Sequence, residues 1–314
     1  MKICVIGAGA VGGLIGTRLA LAGHDTTAIA RGATLDALNA HGWRLSSGER
    51  APVRATSRAN DLGPQDLIVV AVKAPALRAA VAHIPPLLHE QTVVMPAMNG
   101  VPWWFMPEPL DAVDPGGAIA AAIPRPYLLG CVVHFASLAP EPGVVAHTSG
   151  NGLIVGEPGG GPSERATTVT GALSGAGFEA RTSTDIRTDI WYKLWGNMTM
   201  NPISALTGAT ADLILDDPLV NRFCLAVMAE AAAIGARIGC PISESGPDRM
   251  AVTRRLGAFK TSMLQDTEAG RPVELDALVT AVREIGERVG VATPSIDTLL
   301  GLTRLGARMR GLYL

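Results

Sequence analysis

Three glycines near the start of the sequence have the spacing of a phosphate-binding turn. They form the pattern GxGxxG between an apolar run, Ile3–Ile6, and a helical pattern. In that context the first glycine permits a tight turn, the second lets the backbone approach a pyrophosphate, and the third lets the helix pack closely on its strand. Backbone N–H groups at the helix N-terminus would attract the anion. The sequence therefore predicts a dinucleotide site formed by Gly7, Ala8, Gly9, Ala10, Val11 and Gly12.

The residue after the second predicted strand indicates which dinucleotide binds. An NAD site has Asp or Glu there for the ribose 2′-hydroxyl, whereas an arginine accommodates a 2′-phosphate. In this chain the strand Thr26–Ala30 is followed by Arg31, and no carboxylate occurs before Asp36. Arg31 could instead be a solvated loop charge, but its position and sign both match the phosphate role. We therefore expect NADP, bound as NADPH, rather than NAD.

Two further polar residues follow predicted strands. Lys73 comes after the run Leu67–Val72, and Asn99 comes after Thr92–Met98. Ligands of an open α/β sheet lie beyond the carboxyl ends of its strands, which is where the glycine turn is also expected. Either residue alone could be an ordinary surface residue. Together they are expected to line the ribose and nicotinamide end of the site.

The second half of the chain contains a polar row on an otherwise apolar helical pattern. Lys193, Asn197 and Asn201 recur at every fourth position, so they share one helix face. Pro202 disfavours helical geometry at Asn201, so we expect the helix to kink or end there. A solvated polar face is the alternative, although it would more typically mix Glu, Lys, Arg and Gln. The apolar stripe beside the row consists of Ile186, Ile190, Trp191, Leu194, Trp195 and Met198.

A third cluster lies between Lys260 and Asp276. Gly270 and Pro272 mark the end of one helix and the start of another, which places Glu274 in the first turn of the second helix. A carboxylate is favoured there by the positive end of the helix dipole. Acidic residues at helix starts are also common for stability alone. Local sequence does not separate the functional role from the structural one.

Composition limits the classes of protein to which the chain can belong. At 314 residues it exceeds one comfortable core, and 48% hydrophobic with 17% charged residues indicates a well-packed globular protein. A net charge of −2 gives no electrostatic case for nucleic acid or an anionic membrane, and no transmembrane span is expected. The four separated cysteines are expected to be reduced core thiols. The histidines show no metal-ligand spacing, so no metal site is expected.

The order of strand and helix patterns predicts an α/β fold. Strands alternate with helices to about Arg181, which favours an N-terminal Rossmann-type, mostly parallel sheet. Turn signals at Glu141–Gly143 and Ser149–Asn151 separate closely spaced strands, so an antiparallel edge is expected. After Asp185 only helix signals remain, predicting an all-helical C-terminal domain. The expected domains are residues 1–184, binding NADP, and residues 185–314, carrying substrate and catalytic groups.

Together these motifs resemble the ketopantoate reductase family, and the likeness covers nearly the whole chain in the same order. It is far more specific than the glycine pattern alone. The matching motifs are the glycine turn with Arg31, Val72-Lys73, Asn99-Gly100, KLxxN…NP from Lys193 to Pro202, SMLQD from Ser262 to Asp266, and ELD from Glu274 to Asp276.

The resemblance implies a role for each polar cluster. Lys193 is similar to the family's catalytic lysine, and Glu274 to a carboxylate near the substrate hydroxyl and the cofactor. An ammonium group can stabilise the negative charge that builds on a 2-keto oxygen during hydride transfer and can then supply the proton. Substrate binding is expected from Asn99, Asn197, Asn201 and Ser262, with Asn99 also contacting the cofactor.

Two departures from the family pattern affect the expected substrate. Ala211 stands where the family often has another asparagine, and the segment Val101–Gly117 looks longer than in compact members. The resemblance implies NADPH-dependent reduction of 2-dehydropantoate in pantothenate biosynthesis. The alternatives are a related reductase or dehydrogenase that acts on another 2-keto or 3-hydroxy acid, and a non-catalytic NADP sensor. A sensor could lose the polar row, so the presence of that row argues against it. We expect a small-molecule partner, no nucleic acid, no membrane, a cytoplasmic location and a possible homodimer.

Overall fold

A computed structural model describes residues 1–313, and the chain forms two compact units. The first unit contains Met1–Met98 and Gly116–Asp189. The second contains Asn99–Pro115 and the chain from Ile190 onward. The segment Asn99–Pro115 therefore belongs to the second unit although strands of the first unit flank it in sequence. The predicted functional division after residue 184 stays a prediction.

The first unit contains two sheets. Its strands are β1 (Lys2–Ile6), β2 (Asp25–Ile29), β3 (Trp43–Leu45), β4 (Arg50–Ala51), β5 (Arg54–Thr56), β6 (Leu67–Val70), β7 (Val93–Pro96), β8 (Gly130–Glu141), β9 (Val144–Gly156) and β10 (Glu179–Ser183). One sheet is parallel throughout, with the order β5-β2-β1-β6-β7. The other is mixed, with the order β10-β9-β3-β4 and β8 paired to β9.

Apolar residues fill both faces of the parallel sheet. On one face Ile3 and Val5 are fully buried and pack in one core with Leu14 of the first helix, and on the other face Cys4 and Ile6 are also buried. This burial explains the uninterrupted apolar runs that predict these strands, because a parallel sheet is covered on both faces. The helices of the first unit are α1 (Ala10–Leu21), α2 (Gly32–His41), α3 (Ala74–Ala80), α4 (Ala118–Ala122) and α5 (Glu164–Gly175).

The predicted fold class is confirmed, and the antiparallel strands belong to the mixed second sheet. The turn predicted at Glu141–Gly143 joins β8 and β9, and α5 begins directly after Ser163, whose hydroxyl caps it. The turn predicted at Ser149–Asn151 is wrong, because these residues lie inside β9. Gly150 has a φ of +65° there, and the pairing register shifts opposite it, so a bulge absorbs the turn signal.

The second unit is helical, and no strand follows Ser183 in the described part of the chain. The helix Pro218–Arg237 is capped by the Asp217 carboxylate, which accepts hydrogen bonds from two backbone N–H groups of the first turn. The helices after Ser183 are α6 (Ile186–Thr207), α7 (Ala211–Asp216), α8 (Pro218–Arg237), α9 (Gly246–Arg254), α10 (Ser262–Glu268), α11 (Ala281–Arg288) and α12 (Pro294–Met309).

Helix α6 continues through Pro202 to Thr207, so of the kink or end predicted at Asn201, the end is wrong and the kink stays a prediction. Proline removes one backbone hydrogen bond at a cost of about 3 kcal/mol in a helix interior. Burial of the residues that follow, Ile203 and Ala205, offsets that cost. The polar row therefore lies on one helix that extends beyond its last member.

Helix α8 is long and apolar enough to cross a membrane when judged by length and composition alone. Core helices of globular proteins pass the same test. One face of α8, including Val227, Ala231 and Ile234, is buried. Its Glu230 carboxylate accepts hydrogen bonds from the backbone N–H groups of Ser295 and Ile296 at 2.8 and 2.9 Å, at the start of α12. These contacts are those of a helix packed within the second unit.

Candidate active site

Three predicted site residues of the first unit follow neighbouring strands at one edge of the parallel sheet. Ile6 of β1 is in register with Ile29 of β2 and with Val70 of β6. The glycine turn, Arg31 and Lys73 come within three residues of these strand ends. Parallel pairing therefore brings the turn and the two cations to the same edge.

The three glycines of the turn have different surroundings. Gly7 has a φ of +95°, and a side chain there would meet the Ala71 carbonyl oxygen at 2.8 Å. A Cβ on Gly12 would overlap the Gly7 carbonyl oxygen and lie 2.9 Å from the Ala71 Cβ. By contrast, a Cβ on Gly9 would meet nothing within 4 Å, and this residue is exposed. Gly7 and Gly12 thus serve the close packing of the turn, whereas Gly9 leaves open space.

The open space at Gly9 fits the pyrophosphate of a dinucleotide. The first hydrogen bond of α1 runs from the Gly13 N–H to the Gly9 carbonyl at 2.7 Å. The N–H groups of the preceding helical residues have no acceptor within the helix and are available to an anion. Arg31 is exposed directly before α2, and exposed Lys73 directly precedes α3. A cradle of N–H donors with two cations beside it suits a phosphorylated cofactor.

In the second unit, the predicted lysine and one predicted asparagine are in contact. The Lys193 Nζ donates a hydrogen bond to the Asn99 Oδ1 at 2.7 Å. The amine is partly buried on α6, and Asn99 begins the separate segment Asn99–Pro115. This bond fixes the amine at one end of the polar row.

The residue after Asn99 explains how this segment is held. Gly100 has a φ of +86°, and a Cβ there would lie 2.6 Å from the Ala277 carbonyl oxygen. The same oxygen accepts a hydrogen bond from the Val101 N–H at 2.8 Å. Residues Asp276–Thr280 form a π-helical turn, a rare geometry that is frequent at functional sites. A side chain at position 100 would thus push Asn99 away from this turn.

The end of the same segment is tied to α11. The Glu284 carboxylate accepts hydrogen bonds from the backbone N–H groups of Asp111 and Ala112 at 3.0 and 2.9 Å. Arg288 donates to the Pro109 carbonyl oxygen at 2.5 Å. The tryptophans at 103 and 104 are buried. The segment is therefore a packed part of the second unit.

Glu274 lies immediately before the helical run that starts at Leu275, so its predicted place in the first turn is wrong. The reason is a long-range backbone contact. The Val273 N–H donates to the Leu312 carbonyl oxygen at 3.1 Å, and the Tyr313 hydroxyl donates to the Asp276 Oδ1 at 2.6 Å. Because the chain on both sides of Glu274 is held by residues near the C-terminus, the helix starts one residue later.

The remaining predicted substrate residues lie on two helices of the second unit. Asn197 is half-buried on α6, and Asn201, one turn further, is only 6% exposed. Within residues 1–313, the Asn201 side chain makes no hydrogen bond to another residue, so its amide is available to a ligand. Ser262 is exposed at the start of α10, whose N-terminus is capped by the Thr261 hydroxyl. Ala211 is buried at the start of α7.

Two features near the polar row were not predicted. One is the π-helical turn that receives Asn99-Gly100, and the other is Arg249 of α9, which packs against Gly196 of α6. Gly196 is the only signal that the sequence offers for the second feature, since an isolated glycine in a helix commonly has a packing or functional reason. Nothing in the sequence around Gly196 indicates that Arg249 packs against it.

A parallel sheet with a glycine turn at its edge, followed by a helical unit that bears a partly buried lysine, defines a dinucleotide-dependent oxidoreductase with a Rossmann-type first unit. Family models identify the family within this class of enzymes. The model "Ketopantoate reductase PanE/ApbA" matches residues 3–160, and its C-terminal counterpart matches residues 185–307. The chain belongs to the ketopantoate reductase family.

Individual relatives span the full length of the chain. A 2-dehydropantoate 2-reductase from Mesorhizobium japonicum is 45% identical over 100% of both sequences. A 2-dehydropantoate 2-reductase from Archaeoglobus fulgidus is 30% identical over 96% of this chain and 97% of the relative. A solved structure from Ralstonia solanacearum MolK2, assigned to the ketopantoate reductases, is 59% identical, covers 99% of each chain and has a TM-score of 0.96.

Proposed function

We propose that this protein reduces 2-dehydropantoate to pantoate with NADPH. The observation that carries the proposal is the Lys193 amine, which is partly buried and held at 2.7 Å by the Asn99 amide oxygen in a member of the ketopantoate reductase family. The full-length relatives named 2-dehydropantoate 2-reductase support the choice of substrate. Reduction of a different 2-keto acid, or oxidation of a 3-hydroxy acid with NADP accepting the hydride, is the remaining alternative of the same chemistry.

Cofactor binding is assigned to residues 1–184 and substrate binding with catalysis to residues 185–314, together with Asn99. The pyrophosphate would be held by the turn from Gly7 to Gly12, and the 2′-phosphate by Arg31. Lys73, Asn99 and Glu274 would contact the rest of the cofactor. The open space at Gly9 and the cations at the same sheet edge support this assignment.

The reaction needs a hydride at the 2-keto carbon and a proton at the keto oxygen. Bound NADPH supplies the hydride. The Lys193 ammonium donates a hydrogen bond to the keto oxygen, stabilises its growing negative charge and transfers the proton as the new C–H bond forms. The C=O bond is thereby reduced to an alcohol. Asn99 directs the amine by accepting one of its hydrogen bonds.

The other polar groups orient the substrate. Asn197 and Asn201 offer amide donors and acceptors on the face of α6 that bears Lys193. Ser262 offers a hydroxyl at the start of α10, and Glu274 a carboxylate that accepts a hydrogen bond from a substrate hydroxyl. Correct orientation of reactants can lower a barrier by several kcal/mol.

The decisive experiment follows NADPH absorbance with a panel of 2-keto acids. We expect 2-dehydropantoate to give the highest kcat/KM. Lys193→Ala should lower kcat by about 100-fold or more, the range of general acid catalysis, while the Kd for NADPH changes little. Lys260→Ala is the matched control, because Lys260 is exposed and pairs with Glu268. A higher kcat/KM with another keto acid would identify that acid as the substrate instead of 2-dehydropantoate. An unchanged kcat in Lys193→Ala would remove this lysine from the mechanism.

The cellular context completes the proposal. A biosynthetic reductase with a small-molecule substrate is expected in the cytoplasm, acting without nucleic acid or membrane. A homodimer is the oligomeric state that we propose. Light scattering of the purified protein measures it directly.

A further inference from the structure

We propose that Arg249 binds the carboxylate of the 2-keto acid and so selects acids over neutral ketones. This inference rests on the proposed function and adds a residue to the substrate site. Arg249 lies on α9 and contacts α6 next to the polar row. The contact is made entirely within the second unit.

The position of Arg249 is set by Gly196. A Cβ on Gly196 would lie 2.6 Å from the Arg249 Nη2 and 3.0 Å from its Cζ, so a side chain at position 196 would displace the guanidinium from its present place. Gly196 is three residues after Lys193 and directly precedes Asn197. Residues three apart are neighbours on a helix surface. The guanidinium therefore packs on the part of α6 that carries the proposed catalytic amine.

Two of the three guanidinium nitrogens make no hydrogen bond. Nη1 donates to the Thr253 hydroxyl at 3.2 Å. Nε is buried without an acceptor, and Nη2 makes no hydrogen bond to any other residue in the described chain. The Arg249 Cζ also lies 5.7 Å from the centre of the Tyr192 ring. A cation–π contact uses the face of the guanidinium and leaves its edge donors free.

No carboxylate within residues 1–313 forms an ion pair with Arg249, in contrast to other arginines of the second unit. Arg254 pairs with Asp216 at 2.6 Å, and Arg271 pairs with Asp266 at 3.0 Å. The neighbouring Glu244 instead accepts a hydrogen bond from the Tyr192 hydroxyl. A partly buried cation without a carboxylate partner is costly, and an anionic ligand at the Nη donors would lower that cost.

The chemistry of the unused donors fits a carboxylate. The two Nη nitrogens of an arginine form a planar fork that binds both oxygens of a carboxylate, and in Arg249 each Nη nitrogen has at least one N–H without an acceptor. A 2-keto acid presents its keto oxygen and its carboxylate on adjacent carbons. With Lys193 at the keto oxygen, Arg249 on the same helix surface would bind the neighbouring carboxylate. Neutral ketones would lack this contact.

The test compares ketopantoate with ketopantolactone, its neutral cyclic ester, in NADPH oxidation. In Arg249→Gln the KM for ketopantoate should rise about 10- to 100-fold, as expected for a charge-assisted hydrogen bond, with kcat changed much less. The KM for ketopantolactone should stay within about threefold, since no carboxylate is lost. Arg254→Gln, which removes the same charge from the same helix, should leave both KM values unchanged.

Arg249→Lys separates binding from folding, because it keeps the charge and removes the fork. It should raise the KM for ketopantoate, though less than the glutamine variant does. Equal effects of Arg249→Gln on acid and lactone, or no effect of either Arg249 variant on the acid, would overturn the inference.

Failure of the proposed function has a different signature. In that case the wild-type protein would not reduce ketopantoate at all. Calorimetric titration of 2-oxoisovalerate and its neutral amide into the NADPH-loaded wild type and Arg249→Gln then tests the inference. Acid binding that Arg249→Gln abolishes would support it, and acid binding equal to that of the amide, or undetectable in wild type, would refute it.

Discussion

At the scale of single residues, charge and exposure decide what a side chain can do for a ligand. Arg31 is exposed at the start of α2, with an extended backbone and no capping hydrogen bond from its side chain. An exposed arginine contributes little to the stability of the fold. Its contribution to a bound 2′-phosphate can be much larger, because guanidinium and phosphate form charge-assisted, bidentate hydrogen bonds.

Arg31→Ala should therefore weaken NADPH binding far more than NADH binding. Loss of charge-assisted hydrogen bonds predicts about a 10- to 100-fold rise in the Kd for NADPH and little change for NADH, which lacks the 2′-phosphate. Fluorescence titration of both cofactors measures the difference. Arg50→Ala, at an exposed arginine of β4, is the control and should affect neither. An equal loss for NADPH and NADH would refute the phosphate assignment.

At the scale of elements, the strand, turn and helix at the start of the chain use different glycines for packing and for cofactor binding. The helix packs close to the strand because Gly12 has no side chain, and the turn forms because Gly7 takes a positive φ. Gly9 has a φ of −82°, which alanine adopts without strain, and open space in front of it. Within this motif, Gly12 therefore tests packing and Gly9 tests cofactor binding.

Gly9→Ala should weaken cofactor binding, whereas Gly12→Ala should lower the stability of the fold. Gly12→Ala forces a methyl group into packed backbone and should lower the free energy of unfolding by about 1–3 kcal/mol. Gly9→Ala should change it by less than about 0.5 kcal/mol, typical of surface substitutions, yet weaken NADPH binding about tenfold or more by displacing the pyrophosphate. Urea unfolding and cofactor titration of both variants measure this. Unaltered NADPH affinity in Gly9→Ala would contradict the proposed approach of the pyrophosphate.

The elements also show what sequence can predict. The parallel strands, the turn and most helix boundaries follow from local patterns, such as the Asp217 cap followed by Pro218. The π-helical turn and the position of Glu274 do not, because they depend on contacts with Gly100 and Leu312, which are far away in sequence. Arg249 was missed for the same reason: its significance comes from Gly196, on another helix. Local pattern specifies elements, whereas packing between elements completes the site.

At the scale of the whole molecule, each unit contains a buried thiol whose protonation is coupled to folding. Cys4 of β1 lies in the first unit, and Cys224 of α8 lies in the second. Neither side chain is exposed, and burial raises the pKa of each thiol from 9.0 to about 12. Burial disfavours the charged thiolate, which would have to lose its hydration. The unfolded chain therefore loses these protons at a lower pH than the folded protein does.

The sign of this coupling predicts alkaline destabilisation. A folded-state pKa above the unfolded value contributes stability that is present below pH 9 and is lost as the pH rises toward 12. Each thiol contributes a slope of up to about 1.4 kcal/mol per pH unit in that window. Urea unfolding between pH 8 and pH 11, followed by tryptophan fluorescence, should show the free energy of unfolding falling more steeply in wild type than in Cys4→Ala/Cys224→Ala. The single variants should show intermediate slopes, even though each also loses some packing at every pH. If the double variant has the same pH slope as wild type, the thiols are not the groups that couple alkaline pH to unfolding.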